Sequence, residues 1–126
     1  MKKFIMSMVI LVIILTFSVA IIIYFKNTSN QLSLSVQKTM KLVSEGKWND
    51  AETSIDDLEG KWDKTEKIWA TLTDHIEMDN IELSMKKSKQ YINTKDVPLA
   101  HAELNSLRFM VEHIYGKEIF NLKNIL

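Results

Sequence analysis

The stretch from Phe4 to Phe25 contains no charged residue in 22 positions, and fifteen of these are Ile, Leu, Val or Phe. Wound as a helix at about 1.5 Å per residue it measures roughly 33 Å, enough to cross a hydrocarbon core about 30 Å thick. Each of the fifteen favours the membrane centre by roughly 0.3 to 0.6 kcal/mol, so insertion is favoured by several kcal/mol. The many β-branched residues do not argue for a strand. In lipid every backbone N–H needs an internal partner, and a lone strand has none.

A cleavable leader is the rival reading, because Lys2 and Lys3 make a basic start and Ser18-Val19-Ala20 has the small-x-small form of a cleavage site. The apolar run continues past that point to Phe25, however, beyond the 7 to 15 residues usual for a leader. An uncleaved anchor is therefore expected. A lipoprotein anchor is excluded, since the chain has no Cys. Lys2, Lys3 and the α-amino group outweigh Lys26 on the other flank, which points the amino terminus into the cytoplasm. The expected division is a cytoplasmic tip and transmembrane anchor over residues 1–25, then an extracytoplasmic helical domain over 26–126 at the plasma membrane.

That second part holds all 16 acidic residues and, with Lys2 and Lys3 set aside, 14 of the 16 basic ones, a net charge of −2. Such a balance gives no electrostatic pull toward nucleic acid. Lys86, Lys87 and Lys89 cluster locally and read as a solvated helix face. Without disulfides the domain must be held by its core, which about 100 residues can supply.

Asn27-Thr28-Ser29-Asn30 reads as a short polar connector rich in helix-capping side chains. A first soluble helix follows, with Leu32, Val36, Met40 and Val43 at three- and four-residue spacing and a stop at Gly46. Next comes the clearest pattern in the chain: Trp48, Ile55, Trp62, Trp69 and Ile76 fall seven apart, with Ala51, Leu58 and Leu72 three residues after members of that series. This is a heptad seam interrupted only at Thr65. Asn49 and Glu52 have the spacing of a capping box, and Asp57 to Lys61 and Asp63 to Lys67 stand in the favourable acid-first order.

A single helix from there to Asn93 would far exceed the mean of about 11 to 12 residues, so a break is expected near Thr73-Asp74, with Asp74 and Glu77 opening the next helix. Asn93 to Asp96 reads as a loop, and Pro98 suits a first helical turn. The last helix carries Val97, Ala100, Leu104, Leu107, Val111 and Ile114; Gly116 is expected to weaken it, with Ile119, Phe120, Leu122 and Ile125 continuing the pattern.

Two internal similarities stand out. Glu-Gly-Lys-Trp occurs at 45–48 and 59–62, two heptads apart. Trp48-x-x-Ala51…Ile55-x-x-Leu58 matches Val97-x-x-Ala100…Leu104-x-x-Leu107 at an offset of 49. The second implies two helical hairpins in series, each with a small Ala just inside a helix after a tight turn, a local feature of tetratricopeptide-type repeats. The expected fold is all-α: an N-terminal transmembrane helix followed by an antiparallel four-helix bundle of two hairpins, with a short open solenoid as the alternative.

Nucleophilic catalysis has little to stand on, with no Cys, no nucleophile elbow and three scattered glycines. The richest polar cluster runs from Asp74 to Glu82. On a helix His75, Asp79 and Glu82 share one face, and an imidazole with two carboxylates is a partial ligand set for a divalent metal, with His101 or Glu103 as candidate further donors. The structural reading is favoured: Asp74, Glu77 and Asp79 suit a helix N-terminus, and His75 an interhelical turn. No catalytic residue, metal site or cofactor is therefore assigned. Trp62 and Trp69 belong to the core, whereas Trp48, beside a turn, is divided between packing and an external contact. Arg108 flanks the last apolar stripe, where an acid of the central cluster is a candidate partner.

The anchor, the Trp-rich helix, His75-x-Glu77-x-Asp79-x-Ile81-Glu82, Leu107-Arg108 and the terminal Asn124-Ile125-Leu126 together resemble the bacterial, membrane-anchored family known as domain of unknown function 4363. The resemblance covers nearly the whole chain. It implies architecture rather than activity, and a membrane partner.

The expectation is thus a non-enzymatic interaction or scaffold module, anchored in the bilayer through residues 4–25 and engaging a membrane-protein or envelope partner through Trp48, His75, Glu77, Asp79, Glu82 or Arg108. A metal-dependent enzyme or metal sensor built on His75, Asp79 and Glu82 is the alternative. Homo-oligomerisation through the heptad seam is a third.

Overall fold

A computed structural model describes residues 1–125, with side chains described for residues 1–117 and for Asn124. Four helices account for the fold: α1 (Lys2–Ser44), α2 (Trp48–Trp69), α3 (His75–Asn93) and α4 (Val97–Ile125). Each helix packs against its neighbours in sequence, and α4 closes back on α1, so the four form a ring around one core. This is the expected all-α bundle, closed rather than open.

The apolar stretch and the first bundle helix are one continuous helix of 43 residues. The connector expected at Asn27 to Asn30 is absent, and packing explains why. Phe25, Ser29, Leu32, Val36, Thr39 and Val43 are all buried, spaced alternately four and three apart, so one seam runs through the polar tetrad without a change of phase. Thr28 bonds back to the Tyr24 carbonyl, and the Ser29 hydroxyl donates to the Val111 carbonyl of α4, 2.9 Å away. Polar side chains that might cap a helix start are here used inside one. The expected division after residue 25 falls within α1, and Phe25, on the anchor side, is 2% exposed in the core.

The Trp-rich seam does its expected work as far as Trp69. Ile55, Leu58, Trp62 and Trp69 are buried, and so is Thr65, whose hydroxyl donates to the Lys61 carbonyl. Phe25 stacks on Trp69 at 5.1 Å between ring centroids, and Trp62 meets Trp69 edge-on at 5.9 Å. These aromatic geometries bind the base of α1 to the end of α2. Leu72 and Ile76 leave the seam, because α2 ends at Trp69 and the chain turns through residues 70–74. The expected break is there, and the Ile76 N–H donates to the Asp74 carboxylate as in an ordinary N-cap. The expected Asn49–Glu52 capping box is not formed. α2 begins two residues earlier, with Lys47 as its N-cap and no side-chain cap bond.

The offset of 49 extends into the backbone. After α1, Gly46 N–H bonds to the Val43 carbonyl and Lys47 N–H to that of Leu42; after α3, Lys95 bonds to Ile92 and Asp96 to Tyr91. Both are Schellman turns with one left-handed residue, Gly46 at φ +69° and Lys95 at φ +56°. Behind them Ala51, Ile55 and Leu58 are buried in register with Ala100, Leu104 and Leu107. The molecule is two copies of one hairpin plan. α4 passes through Gly116 without a break. The expected apolar continuation at Ile119, Phe120, Leu122 and Ile125 lies outside the described side chains.

Candidate functional site

The bundle has two ends. At the end from which the apolar stretch of α1 emerges lie Phe25, Thr28, the turn between α2 and α3 and the start of α3. At the distal end lie the two Schellman turns. The candidate residues are divided between these ends and the sides, and do not form one site.

Trp48 opens α2 at the distal end, half-buried against the core. His101 is also distal, its Nε2 2.6 Å from the Ser44 hydroxyl. Across the bundle, His75 and Asp79 are exposed on the first turns of α3, while Glu77 beside them accepts from Lys117 of α4 at 3.0 Å. Helical geometry does align His75, Asp79 and Glu82, but Glu82 is held by Lys86 on the next turn. Neither expected further donor approaches: His101 is at the far end, and the Glu103 carboxylate accepts from Ser84 at 2.8 Å. Among the described residues no three His, Asp or Glu side chains converge as a metal-holding group. Glu82 also borders a cleft between α2 and α3 with Glu59, Trp62, Asp63, Met85 and Lys86, of about 110 Å³. Sites for small organic ligands usually occupy about 300 to 1,000 Å³.

Arg108 does not reach the acidic cluster. Its Nε donates to Glu112, one turn further along α4, at 3.0 Å, and the same Glu112 oxygen accepts from the Ser33 hydroxyl of α1 at 2.6 Å. The Ser33 hydroxyl holds the Glu112 carboxyl below the usual carboxylate range; burial opposes it as the next effect, and Arg108 adds to the lowering by hydrogen bond and charge. Arg108 and Glu112 are therefore part of the joint between α1 and α4.

Lys89 needs a similar correction. It stays partly exposed beside the exposed Lys86 and Lys87, but its ammonium bridges Asp56 and Glu59 of α2, both at 2.8 Å, and these two carboxylates raise its pKa. Lys61 likewise passes over Asp57 and donates to Ser35 of α1.

Sequence reasoning missed a set of small hydroxyls that stitch the helices together. Thr39 and Ser54 bond across α1 and α2 at 2.7 Å, Ser84 reaches Glu103 across α3 and α4, and Thr28 accepts from the Trp69 indole at 3.1 Å. The signal was present in the sequence. Ser29 and Thr39 occupy seam positions that an apolar-only count passes over, and Ser33 adjoins one.

No curated protein and no solved structure matches this chain. A family model does match it, over residues 19–125, which takes in the last turns of the apolar stretch together with the whole described bundle. The match begins inside α1 and well before the polar tetrad, as a single structural unit built on that continuous helix requires. The chain belongs to the family described as Domain of unknown function (DUF4363).

Proposed function

We propose that the chain is a non-enzymatic, membrane-anchored interaction or scaffold module, with its amino terminus in the cytoplasm and its bundle at the outer face of the plasma membrane. The observation that carries this reading is the continuity of α1. Its apolar residues from Phe4 to Phe17 are exposed over all sides of the helix, and the same helix then supplies a quarter of the bundle core. A domain built onto its anchor in this way has a fixed height and orientation at the membrane. Confinement to that layer raises the effective concentration toward a membrane-protein or envelope partner, so a modest contact suffices.

The groups that remain for such a contact are the half-buried Trp48 at the distal end and the exposed His75 and Asp79 near the membrane. Glu77, Glu82 and Arg108 are engaged within the chain. The seam offers little to a second copy, because its tryptophans are consumed by the core. The metal reading finds no support in the geometry described above.

A photoreactive amino acid at Trp48 or at Asp79 of the full-length chain, activated in native membranes, tests the proposal. A discrete adduct with a membrane or envelope protein is expected. Recovery of monomer alone, from cells in which the protein is needed, would overturn it.

A further inference from the structure

We propose that the turn between α2 and α3 is a second membrane contact, seated in the lipid interface beside α1 through Ile68, Leu72 and Ile76. The inference rests on the anchored reading above and adds to it where the bundle sits.

Its height follows from bonds already described. α2 runs antiparallel to α1, and Trp69 at its end stacks on Phe25 and donates to Thr28. Residues beyond Trp69 therefore continue toward the amino terminus of α1, alongside the last turn of the uncharged stretch. Ile21 and Tyr24 are half-buried there against the core, and Phe25 fully so.

That overlap leaves the bare span short. From Phe4 to Ala20 the helix is exposed but for the small Ser18, and these 17 residues measure roughly 25 Å at the helical rise. A hydrocarbon core is about 30 Å thick. The missing length matches residues 21–25, where the end of the bundle packs against one side of the helix and leaves Ile23 53% exposed on the other. For the uncharged stretch to span, that end must enter the interface.

The turn is built for it. Residues 68–73, Ile-Trp-Ala-Thr-Leu-Thr, carry no charge before the capping Asp74, whereas the distal turns contain Glu45, Lys47, Lys95 and Asp96. Ile68 is 47% exposed, Leu72 40% and Ile76 66%. The N–H groups of Ala70, Thr71, Leu72 and Thr73 all bond to carbonyls of Glu66, Ile68 or Trp69, and the Thr71 hydroxyl also bonds to that of Ile68. A turn whose N–H groups from Ala70 to Thr73 are satisfied internally, the Thr73 hydroxyl alone among these residues' buried polar atoms lacking a partner, loses little on leaving water, and aliphatic side chains at its surface gain by entering the headgroup and acyl boundary.

The absence of Cys makes the test direct. Single variants Leu72→Cys, Ile76→Cys, Lys95→Cys and Ile13→Cys of the full-length chain, each carrying a nitrobenzoxadiazole probe, are reconstituted in phosphatidylcholine vesicles. Quenching is read with phosphatidylcholine spin-labelled near the carbonyls or deep in the acyl chain. Probes at Leu72 and Ile76 are expected to be quenched by the shallow label about threefold or more over Lys95, since interfacial groups sit roughly 5 to 10 Å below the surface. Leu72 and Ile76 no more quenched than Lys95, with Ile13 quenched by the deep label, would overturn the inference and leave the anchor standing. Loss of quenching at Ile13 as well would overturn the anchored reading, and this inference with it.

Discussion

The backbone of Lys95 is left-handed at φ +56°, where the equivalent position of the first hairpin has Gly46. A side chain at such a φ meets the backbone at a cost of about 1 kcal/mol or more, which glycine avoids at the expense of extra freedom when unfolded. Lys95→Gly is therefore expected to stabilise the bundle by about 0.5 kcal/mol, and Gly46→Ala to destabilise it by about 1 kcal/mol, both measurable by urea unfolding in detergent. Glu112 supplies a pH-dependent counterpart. Its folded pKa lies below the unfolded value, so its contribution is full at neutral pH and is lost as pH falls through the ordinary carboxylate range toward the folded pKa. Ser33→Ala removes the larger of the two stabilising bonds. It is expected to move the Glu112 titration upward, visible in the side-chain carboxyl carbon shift by NMR, and to flatten the acid limb of stability.

α1 is the element in which sequence reading and structure part company. Its two halves were each legible, the apolar one by length and the bundle one by Leu32, Val36 and Val43. Their fusion was not, because Asn27-Thr28-Ser29-Asn30 consists of residues that cap helices as readily as they occupy them. What decides the matter is tertiary: Ser29 finds a carbonyl on α4, and Phe25 finds Trp69 on α2. Neither partner is visible from local spacing. By contrast the turn after Trp69 and the start at Asp74 were readable, since an acid cap there agrees with an excessive helix length. The candidate site fared differently. Its residues were on the helices and faces expected, but the partners that engage Glu77, Glu82 and Arg108 come from side-chain reach, which periodicity does not encode. The continuity of α1 predicts that Phe25 is a core residue of the bundle. Phe25→Ala is expected to cost about 3 to 5 kcal/mol, read by chemical unfolding of the detergent-solubilised chain, and a fragment starting at residue 26 is expected to be destabilised similarly. An exposed apolar residue of the span, such as Ile10, serves as the control, with little change on substitution by alanine.

At the scale of the whole molecule, the closed ring and the repeated hairpin fix which end of the bundle would face the membrane on the anchored reading proposed above. α1 enters the core at Phe25, so the α2–α3 turn is proximal and both Schellman turns are distal, the first of them after fifteen more residues of α1, roughly 22 Å, beyond Ser29. The distal end carries Glu45, Lys47, Lys95 and Asp96, charges that suit the water-facing pole on that reading. On the same reading the side follows from charge. Lys2, Lys3 and the α-amino group hold one flank of the span against Lys26 on the other, a small excess that favours retention of the amino terminus in the cytoplasm. Because the natural chain has no Cys, a single thiol reports on topology without background. In intact cells, Lys95→Cys is expected to react with a membrane-impermeant maleimide, and Lys2→Cys only after the cells are opened. The reverse order would place the bundle in the cytoplasm and replace an envelope partner by a cytoplasmic one. Adding Lys residues at 27 and 30 ought to weaken or invert the preference, since the bias it opposes amounts to only two positive charges.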